Sequence, residues 1–122
     1  MLTAIILLVV LLLSYESLKV EAPVSTIEHC RQNISKAKKM GIEQYEPELM
    51  AQAENVYRAI MHEWSNQNEK SGINRNFKKI HTLADSANSL ISTAIDQAMH
   101  QAKYLKHISN QKINTCRRAL NE

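Results

Sequence analysis

Residues 73–120 read INRNFKKIHTLADSANSLISTAIDQAMHQAKYLKHISNQKINTCRRAL, and how they fold decides the architecture. Neither glycine nor proline interrupts them. Ile73, Phe77, Ile80, Ala84, Ala87, Ile91, Ala94 and Ala98 recur at alternating spacings of four and three. That is a heptad seam, which gathers these side chains on one helical face. The seam weakens at Gln101, resumes at Leu105 and Ile108, and shifts to Ile113, Cys116 and Leu120. The pattern predicts one helix over 73–120, about 48 residues and roughly 70 Å long. Many seam positions are alanine, so a neighbouring helix can approach closely.

The rest of the chain is punctuated just as sparsely. Its 122 residues hold two glycines and two prolines. Turn-rich all-β folds, collagen-like chains and glycine-rich phosphate loops are thereby excluded. A first bundle helix is expected over 25–40, with Ile27, Cys30, Ile34 and Ala37 on one face. Ser25 and Glu28 have the spacing of a capping box, Lys36, Lys38 and Lys39 suit the last turn, and Gly41 falls at the residue after the C-cap. A second helix is expected over 47–66, opened by Pro47, where the missing N–H is harmless. Tyr45 and Met50 have the spacing of a hydrophobic staple. Leu49, Ala53, Val56, Ile60 and Trp64 form its stripe, and it fades in the polar run 65–68. Aromatic residues make up only 5% of the chain, so the core must be aliphatic and alanine-based.

Residues 2–13 read LTAIILLVVLLL. The run is uncharged, and only Thr3 in it is polar. It resembles the hydrophobic region of a secretory signal. The best small-residue cleavage site is Val20-Glu21-Ala22, although Pro23 follows it. A second reading stays open: residues 2–20 as a helix span roughly 28 Å, enough to anchor the chain in a bilayer. Either way, residues 1–22 form a signal peptide or membrane anchor. Residues 23–122 form the helical domain, placed outside the cytoplasm in the periplasm or cell envelope.

Ala37-Lys38-Lys39-Met40-Gly41, then Tyr45-Glu46-Pro47-Glu48-Leu49, then Ala51, Ala53 and Ala59 form a distinctive series. It resembles an uncharacterised family of bacterial envelope domains, catalogued as domain of unknown function 4398. The resemblance covers roughly residues 25–105 and rests on the Tyr-x-Pro-Glu helix start and the alanine-rich helices. It implies an exported bundle of antiparallel helices. The family supplies no catalytic residues to carry over. This chain departs from it in having asparagine, serine and threonine where alanine and glutamate are usual. It also lacks a lipobox cysteine, so lipidation is not expected.

The chemistry-bearing residues are few. Cys30 and Cys116 form an internal disulfide only if the chain breaks near residues 86–93 and folds back as a fourth helix. Along a continuous helix they lie far beyond the ~7 Å that a disulfide allows between Cα atoms. They are then buried thiols or intermolecular links. His100 and His107 share a face but sit two turns apart, about 10 Å, too far for one metal ion. No nucleophile, zinc or P-loop motif is present. No enzyme activity, cofactor or metal is expected.

Residues 97–121 carry Lys103, Lys106, Lys112, Arg117 and Arg118 and no acidic residue. This basic patch suits the C-terminal end of a helix or an acidic partner. Nucleic acid is not expected, because aromatic residues are not interleaved there and the net charge is only +3.

The resulting expectation is an all-α protein. An N-terminal hydrophobic helix precedes an antiparallel three-helix bundle, and the long third helix overshoots its neighbours; the alternative is a four-helix bundle. The overshoot leaves Ile95, Leu105, Ile108, Ile113 and Leu120 without intrachain cover. That seam points to a non-enzymatic interaction or scaffold role, with a protein partner or homo-oligomer bound through the third helix. The alternative is a soluble exported four-helix binding protein for a small ligand or envelope polymer.

Overall fold

The computed structural model describes residues 2–17 and 22–122. Five helices follow in order: α1 (Leu2–Ser17), α2 (Val24–Lys39), the single turn α3 (Ile42–Tyr45), α4 (Pro47–Asn68) and α5 (Lys78–Leu120). A short 3₁₀ turn, Gly72–Asn74, lies between α4 and α5. The all-α architecture with a long last helix is therefore the one expected.

α1 has 16 residues, about 24 Å of helix. Ile5 to Leu13 expose roughly half or more of their surface, from 47% at Val9 to 64% at Leu11. No helix among the described residues is long and apolar enough to cross a membrane. Residues 18–21 carry part of both the anchor and the cleavage-site readings, and they lie outside the described residues.

α2 begins at Val24, one residue earlier than its sequence pattern indicates. Pro23 supplies the carbonyl that Ile27 N–H bonds at 3.0 Å. Ser25 therefore falls inside the first turn, and the capping box is not formed. Glu28 instead accepts bonds from Arg31, at 2.6 and 2.8 Å, and from Gln32 at 3.0 Å. Those bonds hold its carboxyl down at about 2. The helix ends as predicted: Gly41 takes φ 74°, a left-handed conformation that glycine reaches without the Cβ penalty.

α4 starts at Pro47 and runs through the polar stretch to Asn68, two residues beyond the expected end. Gln67 explains the extension. It is only 5% exposed, donates to Glu63 Oε1 at 2.7 Å, and accepts from Asn76 N–H at 2.9 Å. The buried amide clasps the connection to α5. Arg75 donates to the carbonyls of Asn68 and Lys70, both at 3.2 Å, which satisfies groups at the end of α4 that have no helical partner.

The same clasp moves the start of α5 from residue 73 to Lys78. Arg75 is extended, with ψ 134°, and Asn76 Oδ1 accepts from Lys78 N–H at 3.0 Å. Ile73, placed on the seam by its spacing, is 83% exposed in the 3₁₀ turn. From Phe77 onward the seam is as read: Phe77, Ile80, Ala84, Ala87, Ile91, Ala94 and Ala98 are all buried.

α5 is one continuous helix of 43 residues, roughly 64 Å long. The chain does not break at residues 86–93, so the four-helix alternative is not realised. Ser86 and Thr93, which made a break conceivable, donate to the carbonyls of Thr82 and Ser89 within the helix.

The core forms where α2 and α4 lie against α5. Thr26 meets His81 at 3.4 Å and Asn33 meets Asn88 at 2.9 Å, so α2 runs parallel to α5. Lys79 meets Glu63 at 2.9 Å and Gln101 meets Glu46, so α4 runs antiparallel. Ala37, Ala53, Ala84, Ala87 and Ala94 are completely buried and let the helices close up. Met50, Ile60 and Ile80 fill the space between them, each worth roughly 1.5–3 kcal/mol when fully buried. Trp64 and Phe77 close the base with ring centroids 5.5 Å apart.

Candidate functional site

The bundle ends at the level of the Glu46–Gln101 hydrogen bond, and α5 does not. Nineteen residues, 102–120, continue past it, an arm of about 28 Å. Every residue of the arm is exposed except Ile108, which is half-buried. Leu105 is 54% exposed, Ile113 52% and Leu120 86%. Tyr104, which the seam pattern did not single out, is 65% exposed.

Ile95 departs from expectation. It packs against the core as a partly buried side chain. Carried up α2, the residue separation of 55 seen for Asn33 and Asn88 sets Ile95 level with Met40, where neighbouring helices still cover it. The uncovered seam therefore begins at Leu105.

The arm has two unlike sides. At about 100° per residue, Leu105 lies on nearly the same azimuth as Ala98, the last buried seam residue. Cys116 shares that azimuth, and Ile108 and Ile113 flank it. The apolar side of the arm is thus the core face of α5, prolonged beyond the helices that cover it below. Lys103, Lys106, Arg117 and Arg118 occupy an arc of about 120° on the far side. Lys112 stands apart from them, on the apolar side between Leu105 and Cys116. All five cations are exposed. Among the described residues, the ion pairs lie elsewhere: Arg31–Glu28, Lys38–Glu54 and Lys79–Glu63. Arg117 and Arg118 occupy the last turn, where they complement the negative end of a long helix.

At the foot of the arm the charge reverses. Glu43 lies in α3, Glu46 at the junction and Glu48 in the first turn of α4. A basic, half-apolar arm therefore rises from a shoulder that carries these three carboxylates, with Lys38 at the end of α2 near enough to Glu43 to feel its charge.

The two cysteines are both free. Cys30 is completely buried, and burial pushes its thiol upward. Cys116 is exposed on the arm. In the register of α2 on α5, Cys30 lies level with Asp85, about 46 Å along the axis from Cys116. That separation forbids an internal bond. A hollow of about 230 Å³ between α2 and α4 is lined by Arg31, Ile34, Lys38, Glu54, Tyr57 and Arg58. Its charges are already engaged: Lys38 pairs with Glu54, Arg31 with Glu28, and Arg58 donates to Asn55. No cluster of three metal-ligating side chains occurs among the described residues.

Comparisons with protein-family models, with curated proteins and with solved structures give no match to this chain.

Proposed function

We propose that this protein acts without catalysis, as an extracytoplasmic interaction or scaffold protein that works through helix–helix contact. One observation carries the reading: the core face of α5 continues past the bundle, and Leu105, Ile113 and Leu120 stand there uncovered. A contiguous apolar stripe rimmed by polar groups is the mark of a contact surface. The hydrophobic run 2–13 and the Tyr-x-Pro-Glu motif support the location. The basic arc supports a contact in which long-range attraction assists docking.

A photo-crosslinking residue at Leu105, compared with one at Ser86 on the outer side of the covered helix, tests the reading in the cell that makes the protein. Adducts at position 105 and none at position 86 are the expected result. Equal labelling, or none at 105, removes the arm as the contact surface.

A further inference from the structure

The seam of α5 beyond Ala98 can be laid end for end on a second copy of itself. Counted outward from the peptide bond between Asn110 and Gln111, Ile108 matches Ile113, Leu105 matches Cys116 and Gln101 matches Leu120. An isologous two-fold contact takes this form, residue i meeting j while j meets i, and here Ile108, Ile113, Leu105 and Cys116 meet apolar partners.

The space beside the seam has a definite shape. It lies directly above α3 and the start of α4, because the seam prolongs the face that α2 and α4 cover lower down. An object filling it stands end-on to those helices, and a single helix, roughly 10 Å wide, fits there. A flat surface laid along the arm would meet α2 and α4 first. A second arm fits, and at about 28 Å it covers its counterpart from end to end.

The charges agree with one direction only. In an antiparallel pair the tip of the second arm comes down to the level of Gln101, and Gln101 is bonded to Glu46. That brings the tip of the second copy, Arg117 and Arg118 with the one acid Glu122 beyond them, to the shoulder of Glu43, Glu46 and Glu48, so the cations outnumber the acid there. The negative end of that helix then faces the positive end of α4. A parallel pair would carry both tips away from the shoulder and leave it unused.

We infer that the occupant of the arm is a second copy of this chain, laid antiparallel so that Leu105 faces Cys116 of the other copy. This rests on the reading of the arm as a contact surface. In such a pair Lys112 lies beside Ser109 of the second copy and near the second Lys112, so like charge at the two-fold axis tempers the association.

The test uses the full chain in mild detergent, carrying Leu105→Cys and exposed to a gentle oxidant. A disulfide joining position 105 to Cys116 of a second molecule, mapped by peptide mass, is expected. The wild type should form no such link, because its two Cys116 sulfurs are set about 16 Å apart along the axis. Lys112→Leu added to Leu105→Cys should raise the cross-linked fraction at equal concentration. Wild-type dimers joined through Cys116 alone would mean parallel arms and overturn the proposal. So would the absence of the 105–116 link, or a drop in yield with Lys112→Leu, with folding checked by helical circular dichroism. If that link is absent while the photo-crosslinker at Leu105 captures another protein, the second copy is excluded and the arm remains a contact surface. If both fail, both readings fall.

Discussion

Asn33 on α2 donates its side-chain amide to Asn88 Oδ1 on α5 at 2.9 Å, across a partly buried interface. The two are 55 residues apart, the same separation as Thr26 and His81. Two polar contacts at one spacing pin α2 against α5 in parallel register, where the alanine seam alone would tolerate sliding. Asn33 also heads an Asn-Ile-Ser sequon, and here its amide is engaged inside the bundle.

Asn33→Ala should lower stability by about 1 kcal/mol, because it leaves a half-buried amide without its partner. Asn88→Ala should cost a similar amount, and the double variant less than the sum. A double-mutant cycle by urea unfolding measures the coupling, expected at roughly 0.5–1.5 kcal/mol for side chains in direct contact.

Gln67 is the most consequential polar residue of the core. Replacing it with alanine removes the acceptor for Asn76 N–H and the donor to Glu63, two partly buried hydrogen bonds. The expected cost is about 1–3 kcal/mol, together with fraying at the start of α5. Hydrogen exchange should show faster amides at Asn76 and Lys78, while Ala94 and Ala98 stay protected.

Glu63 should make the bundle sensitive to acid. The Gln67 amide, and then the Lys79 ammonium, hold its carboxyl below the ordinary value. A carboxyl lowered by folding stabilises the protein above its unfolded-state pKa and loses that contribution as pH falls through its folded value. Thermal stability should therefore decline as the pH falls below the ordinary carboxylate value of 4.5, and Glu63→Gln should lessen the slope. Glu28 is lowered further, to about 2, but it is exposed, so removing it should change the acid limb little.

The cysteines should report the fold directly. An exposed thiol on a helix reacts with a maleimide, while one buried among apolar side chains is protected. Native protein should take up one equivalent quickly, at Cys116, and a second only on unfolding, at Cys30. Fast labelling of both in native protein would contradict the packing of α2.

The long helix was legible because its evidence is repetition. Seven seam positions from Phe77 to Ala98 are all buried, and periodic spacing translates directly into a face. The ends were less legible. Ile73 has the right spacing and the wrong place, because Arg75 and Asn76 are drawn into bonds with Asn68, Lys70 and Gln67. Those bonds depend on how the chain returns on itself, and no local pattern announces them. Ser25 and Glu28 fit a cap by spacing, but Pro23 starts the helix early and Arg31 takes the carboxylate. Ile95 was misplaced for a related reason: where cover stops depends on how far α2 and α3 reach, and that is a property of the bundle. The arm itself was readable, because residues 102–120 lie beyond anything a 16-residue α2 or a 22-residue α4 could cover.

The parallel course of α2 and α5 has a mechanical consequence. The N-terminal segment joins the base of the bundle, and the arm leaves from the top. The protein is therefore a strut with unlike ends, the chain entering α2 at the base and an uncovered apolar stripe standing at the tip, with α5 as its single beam of roughly 64 Å. Two struts spliced through their tips would hold their bases roughly 90–100 Å apart and facing opposite ways. Whatever each base is fastened to would then be kept at a fixed distance rather than drawn together.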